Sequence, residues 1–271
     1  MLDSRTIAAE GDIAIADVAC THERGRGETT EYADRHAVVF VRRGCFSRVA
    51  DGVEALLDPT TAYCMNPGEE QRYDHPHSHG DDCTAVFLPA ELVGDLTRDG
   101  RLPSRALPVS SAADLEHRLL VHATHEADVH EVIERSIALA ALTVGHVSAP
   151  RPRARRPAAR RAHAALAAGA REALADDPDA SLSVLAARLA VSPHHLSRVF
   201  RAQTGKTIAR HRMRLRARAA LERLGGGESD LGRLAADLGF ADQSHMCRVL
   251  DRETGRTPAA LRHALGASSK R

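Results

Sequence analysis

The chain has 271 residues, a formal net charge of +1, 27% charged residues and 3% aromatics, with no tryptophan. That length suits two domains of ordinary size. No apolar run reaches the roughly 18 residues of a membrane span, and so few rings disfavour stacking-based reading of single-stranded nucleic acid.

The five cysteines (Cys20, Cys45, Cys64, Cys83 and Cys247) show no C-x-x-C spacing. Reduced thiols and a cytoplasmic location are expected. The N-terminus lacks the basic start and apolar run of a signal peptide. From Ile7 to about Leu88 the signals are those of strands. HAVVFVRRGCFSRV reads as apolar–polar alternation around Arg42, Arg43 and Gly44. Asp51-Gly52, Asp58-Pro59, Asn66-Pro67-Gly68 and His79-Gly80 supply turns. Many short strands with such spacing predict a barrel or sandwich. Arg42 and Tyr63 are candidate liners of its pocket, although a one-residue register decides their facing.

HPHSHGDDC, residues 75–83, is the most chemically suggestive run of this half. His75, His77 and His79 alternate and would share one face of a strand. With Cys83, and with Asp81 and Asp82 beside them, they are candidate ligands for Zn²⁺, Ni²⁺, Cu²⁺ or Fe²⁺. Cys20, His22 and His36 are further donors elsewhere in the sequence. The competing reading is a polar hairpin loop, since Pro76 and Gly80 oppose one regular strand. A pH response through these histidines is a further reading. His117, His122, His125 and His130 fall at mixed helical spacing and are expected on the surface.

Residues 112–147 turn helical. Leu115, Leu119 and Leu120 form one apolar stripe; Val129, Val132, Ile133, Ile137, Leu139, Ala140 and Leu142 form another. Read from the residues alone, these stripes cover their own barrel. SAPRPRARRPAARR, residues 148–161, holds three prolines and six arginines. It should resist helix and act as an extended tether.

Residues 185–207 and 234–257 are one segment written twice, LAARLAVSPHHLSRVFRAQTGKT and LAADLGFADQSHMCRVLDRETGRT. With one extra residue in the second turn, 10 of 23 aligned positions are identical. Each copy predicts a helix-turn-helix, over about 182–205 and 231–255. In the first, Leu182, Leu185, Ala186 and Leu189 would face a core, and so would Leu196, Val199 and Phe200. Ser192 reads as an N-cap, Pro193 as the first helical residue and Gly205 as the C-cap. In the second, Leu231, Leu234, Ala235 and Leu238 repeat the stripe, Gly239 makes the turn and Asp242 the cap. His194, His195, Ser197, Arg198 and Arg201 point outward from the first copy, and Gln243, Ser244, Cys247 and Arg248 from the second. Between the copies, Ile208 to Leu224 should form a rod of about 25 Å. Its apolar face would be Met213, Leu215, Ala219, Ala220 and Leu224, and its exposed face Arg212, Arg214, Arg216 and Arg218. Such a rod could hold two recognition helices for successive major grooves, about 34 Å apart.

Charge supports a nucleic-acid partner over a non-binding helical repeat. Residues 151–271 carry 24 Lys/Arg against 11 Asp/Glu, a net of +13, while residues 1–150 carry 13 against 25, a net of −12. A basic half matches a phosphate backbone.

On these residues the chain resembles the AraC/XylS family of bacterial transcription regulators over about residues 162–264, including the T-G-x-T endings of both copies. The resemblance implies an α+β multidomain protein. Its parts would be a cupin-like β-barrel with following helices (1–147), a Pro/Arg-rich linker (148–161) and an all-α tandem helix-turn-helix (162–271). It implies double-stranded promoter DNA as partner. His194, Ser197, Arg198 and Arg201 would serve the first groove, and Gln243, Ser244, Cys247 and Arg248 the second. A small-molecule effector, a homodimer and contact with RNA polymerase are also implied, with no membrane partner and no catalytic residue. Leu250, Asp251, His211 and Leu261 depart from the usual pattern. Asp251, an acid beside the second recognition helix, predicts weaker phosphate contact there. No obligatory cofactor is expected beyond the candidate metal ion of His75, His77, His79 and Cys83. Two alternatives stay open: a metal- or redox-responsive regulator, and a cupin-type enzyme fused to a DNA-binding unit.

Overall fold

Short runs of β-branched and aromatic residues, broken by Asp-Gly, Asp-Pro and Asn-Pro-Gly, fold as antiparallel strands. A computed structural model describes residues 2–21, 25–26, 30–75, 80–97, 99–124, 128–145 and 157–265. Its contacts divide the chain into two units, Met1–Pro150 and Arg151–Arg271.

The first unit runs β1 (Leu2–Glu10), β2 (Ile13–Cys20), β3 (Gly25–Arg26), β4 (Glu31–Tyr32), β5 (His36–Arg43), β6 (Phe46–Ala50), β7 (Val53–Leu57), β8 (Thr61–Met65), β9 (Glu70–His75) and β10 (Asp81–Leu88). Then come α1 (Ala90–Leu96), β11 (Leu107–Pro108), α2 (Ser111–Ala123) and α3 (Val129–Gly145). One sheet has the order β1-β2-β10-β5-β8-β11; the other has β3-β9-β6-β7, with β4 also on β9. The predicted turns close them. Asp58 accepts from the Thr60 N–H at 2.7 Å. Glu69 accepts from the Asn66 N–H at 3.0 Å, and Asn66 accepts in turn from the Leu102 N–H at 2.9 Å.

The first sheet is buried on both faces. Ala37, Val39, Val41, Tyr63, Cys83 and Ala85 meet Phe46 and Leu57 of the second sheet. Ile15, Val38, Phe40, Val86 and Leu88 meet Leu120, Val132, Ile133, Leu139, Ala140 and Val144 of α2 and α3. β5 is therefore not the alternating strand its sequence suggested: five consecutive residues from Ala37 to Val41 are buried, as in any strand covered on both sides. Most of both helical stripes packs within this unit, each buried Leu or Ile contributing about 1.5–3 kcal/mol, while Val129 is left 44% exposed. His117, expected on the surface, is buried with its ring 4.9 Å from that of Phe40. Tyr63 does lie in the intersheet core, but Arg42 falls on the opposite parity of β5 and pairs with Asp17 of β2.

The second unit is all-helical: α4 (Pro157–Asp176), α5 (Leu182–Arg188), α6 (Pro193–Thr204), α7 (Ile208–Gly225), α8 (Leu231–Asp237), α9 (Gln243–Thr254) and α10 (Pro258–Ala264). The expected tether lies outside the described residues up to 156. From Pro157 the chain is already helical, because proline at a helix start lacks only an N–H that would go unbonded there. Ala170, Leu174, Leu185, Ala186, Leu196, Phe200 and Ile208 build one core of this unit. Leu182, expected inside, is 37% exposed. Among the described residues no helix is long and apolar enough to cross a membrane.

Candidate nucleic-acid interface

The two helix-turn-helix motifs are built on one hydrogen-bond scheme. Ser181 caps α5 by accepting from the Val184 N–H at 3.2 Å, and Asp230 caps α8 by accepting from the Arg233 N–H at 2.9 Å. Both turns close alike: the Val191 N–H donates to the Ala186 carbonyl at 3.0 Å, and the Phe240 N–H to the Ala235 carbonyl at 2.9 Å. The two second helices start on matched caps. Ser192 accepts from the His195 N–H at 3.2 Å and Asp242 from the His245 N–H at 2.6 Å. The extra residue of the second turn, Ala241, turns its N–H to His245 Nδ1 at 3.3 Å.

The T-G-x-T endings have a mechanical reading. Thr204 and Thr254 donate their hydroxyls back to the Phe200 and Leu250 carbonyls at 2.8 and 2.7 Å. Each also accepts an N–H two residues on, from Lys206 and Arg256, at 3.2 Å. Gly205 and Gly255 stop their helices at φ 73° and 69°, and Thr207 and Thr257 cap the next ones. Four residues thus end one helix and start another.

With the scaffold fixed, the sides of α6 and α9 sort cleanly. Leu196, Val199 and Phe200 are buried beneath α6; His194, Arg198 and Arg201 are exposed and Ser197 is half-buried. Met246, Val249 and Leu250 are buried beneath α9; Gln243, Ser244 and Arg248 are exposed and Cys247 is half-buried. Arg198 Nη2 lies 3.2 Å from His195 Nδ1, which holds the guanidinium near the helix start. Asp251 is exposed beside Arg252.

The rod between the motifs departs from expectation. The buried stripe of α7 is Ile208, His211, Arg214, Ala217, Arg218, Ala220, Leu221 and Leu224. It is rotated from the predicted face, so Arg214 and Arg218 are inside, with their aliphatic stems in the core. Arg212 donates to the Ala180 carbonyl. Arg216 donates to both the Asp179 carboxylate and the Gly239 carbonyl. Arg210 pairs with Glu253 at 2.9 Å, and Arg223 with Asp237 and Glu228, each at 2.9 Å. α7 is a bracket that fastens the entrance of the first motif to the turn of the second. Lys206, at the joint of α6 and α7, is half-buried beside Arg214 and Arg210. Burial and those charges pull its pKa down to about 8.

In the first unit the structure regroups the predicted metal ligands. His77 and His79 lie outside the described residues. His75 and Cys83 are described, and the cluster that forms is Cys20, His75 and Asp81, with donor atoms all within 4.8 Å of one another. His75 Nε2 is 2.7 Å from Asp81 Oδ1, and Cys83 Sγ is 3.7 Å from Asp81 Oδ2. Burial, with Asp81 beside it, holds the Cys83 thiol well above its usual range. His36 instead faces Asn66 at 3.2 Å. The sequence flagged Cys20 only as a remote donor; its place follows from β2 pairing with β10, which sets Cys20 opposite Asp81.

Parts of the chain are similar to known proteins. A family model described as a helix-turn-helix domain matches residues 185–264. The regulatory protein SoxS of Salmonella typhimurium is 33% identical over 89 residues, covering 33% of this chain and 83% of SoxS. The bifunctional transcriptional activator/DNA repair enzyme Ada of Escherichia coli is 37% identical over 90 residues; the match covers 33% of this chain and only 25% of Ada. Among solved structures, ToxT from Vibrio cholerae aligns over 99% of this chain and 98% of its own, at 9% identity and a TM-score of 0.35. An RmlC-like cupin from Shewanella frigidimarina aligns over 32% of this chain and 74% of its own, at 16% identity and a TM-score of 0.28.

Proposed function

The chain belongs to the AraC/XylS family of bacterial transcription regulators, and on that premise we propose that it reads promoter DNA by inserting α6 and α9 into successive major grooves. The observation that carries this reading is the matched pair of capped second helices, each with a polar face turned to solvent, in a half of the chain with a net charge of +13. Arg198, Arg201 and Arg248 suit guanine edges and phosphates, Gln243 suits adenine, and His194, Ser197, Ser244 and Cys247 complete the two faces. The chain acts as a regulator rather than an enzyme.

The first unit responds to an effector or holds a second copy, and so shifts the population competent for both half-sites. Because the stripes of α2 and α3 already cover their own sheet, pairing of two copies uses another surface of that unit.

Selection of duplexes from a random pool with the full chain tests the reading. The expected result is an enriched site with two elements centred about 10 base pairs apart. Its affinity should fall with salt, with a log–log slope of roughly −0.9 per phosphate neutralised. A pool that stays unenriched, or binding indifferent to salt, would sink it.

A further inference from the structure

We propose that the corner where β2 and β10 meet β9 is a binding site for one divalent transition-metal ion of the zinc class, held by Cys20 Sγ, a ring nitrogen of His75 and a carboxylate oxygen of Asp81. The inference goes beyond DNA reading and does not depend on it.

Three strand ends build the site. Cys20 closes β2, Asp81 opens β10 directly opposite it, and His75 closes β9 in the other sheet. The backbones approach so closely that a side chain would not fit: a Cβ on Gly80 would lie 2.3 Å from the Cys20 carbonyl oxygen, and one on Gly44 2.7 Å from Asp81 Cβ. Cys20 and Asp81 are therefore held by the close pairing of β2 with β10, and His75 comes from the end of β9 in the other sheet. The His75 ring also stacks on Phe46, centroids 5.6 Å apart.

Chemistry selects the ligand. Thiolate, imidazole and carboxylate together suit a borderline-soft ion, and calcium or magnesium would not choose sulfur. All three side chains are buried: Cys20 is 6%, His75 9% and Asp81 5% exposed. A thiolate, a carboxylate and a neutral imidazole cancel the charge of a divalent ion, so the loaded corner buries a neutral group. Bond lengths of about 2.0–2.3 Å put ligand atoms roughly 3.3–3.8 Å apart around tetrahedral zinc. The present spread of up to 4.8 Å closes by side-chain rotation. The ion would take the place of the direct His75–Asp81 hydrogen bond. Cys83, donating to the other oxygen of Asp81 at 3.7 Å, orients that carboxylate from outside the ligand set. Three protein ligands leave a fourth position for water or a small molecule.

The test uses the full chain without a histidine tag, stripped with a chelator and titrated with Co²⁺, then with Zn²⁺ in competition. Expected is saturation at one equivalent with a thiolate-to-cobalt absorption band, displaced by Zn²⁺. Cys20→Ser should abolish the band and weaken Zn²⁺ binding at least about ten-fold; Cys83→Ser should keep the band. A wild-type chain without the band overturns the proposal, as does a band that survives Cys20→Ser or is lost in Cys83→Ser. X-ray absorption of the zinc-loaded wild type decides independently of how the variants fold. One sulfur among nitrogen and oxygen neighbours supports the site; no sulfur, or two, overturns it.

Discussion

The two helix-turn-helix motifs share caps, turn closures and endings, yet they differ where backbone and charge are most exposed. The first turn places Ala190 at φ 53°, while the second places Gly239 at φ 69° and adds Ala241. α6 carries basic Arg198 and Arg201; α9 carries Arg248 followed by Asp251. The repeat thus keeps the scaffold that positions a helix, while the solvent-facing side of that helix differs between the copies.

The largest effects should come from the shared scaffold. Phe200→Ala, which empties the core under α6, is expected to cost about 3–5 kcal/mol, and Leu250→Ala under α9 about 2–5 kcal/mol. Urea unfolding of the full chain measures both. Because Arg216 ties the entrance of one motif to the turn of the other, each lesion should also lower protection of the other motif in hydrogen exchange. Protection lost from one motif alone would mean that the α7 bracket does not couple them.

Next come the reading faces. Arg198→Ala should weaken binding to a selected duplex by about 1–3 kcal/mol and relax specificity at one base pair. Arg248→Ala should cost less, since Asp251 already opposes phosphate nearby. Equal losses would erase the predicted asymmetry, and Asp251→Asn should strengthen binding if the acid is its source. Smaller still are the turns. Gly239→Ala should lower stability by about 1–2 kcal/mol, the cost of a left-handed alanine. Ala190→Gly should raise it by about 0.5–1 kcal/mol, because relief of strain outweighs the extra freedom of the unfolded chain. Thermal melts distinguish the signs.

The weakest signature belongs to Lys206. Its folded pKa is about 8 against the ordinary 10.5. The unfolded chain therefore holds more protons between those values, and unfolding free energy rises with pH across that window. Below pH 8 both states are charged and the cost of burying the ammonium is felt in full. Lys206→Met should flatten that part of the stability–pH curve; a curve unchanged by the substitution would show that Lys206 is not its source.

Local grammar was legible in the sequence. Ser192, Asp242 and Gly205 cap where expected because a cap is decided by its nearest neighbours. What depended on distant partners was not. β5 looked half-exposed until α2 and α3 covered its second face. Arg214 and Arg218 looked solvated because arginines at alternate positions suggest a polar face, whereas the buried stripe follows a 3–4 spacing from Ile208 and His211 through to Leu224. Cys20 lies 61 residues before Asp81, and only the pairing of β2 with β10 joins them. RAHAALAAGAREALA in α4 is strong helix-forming sequence, but the prolines just before it argue against a helix and mask that signal.

The contact between Arg216 and Gly239 leaves a trace outside this molecule. A Cβ at 239 would sit 2.8 Å from Arg216 Nη2, so the guanidinium would have to shift off the Gly239 carbonyl to admit a side chain there. Residue 190, at the equivalent place in the first motif, is an alanine at almost the same backbone angle. In related chains positions 216 and 239 should therefore drift as a pair, the long cation going with glycine and a shorter side chain licensing alanine. In this chain the double substitution Arg216→Ala with Gly239→Ala should cost less than the two single changes added together.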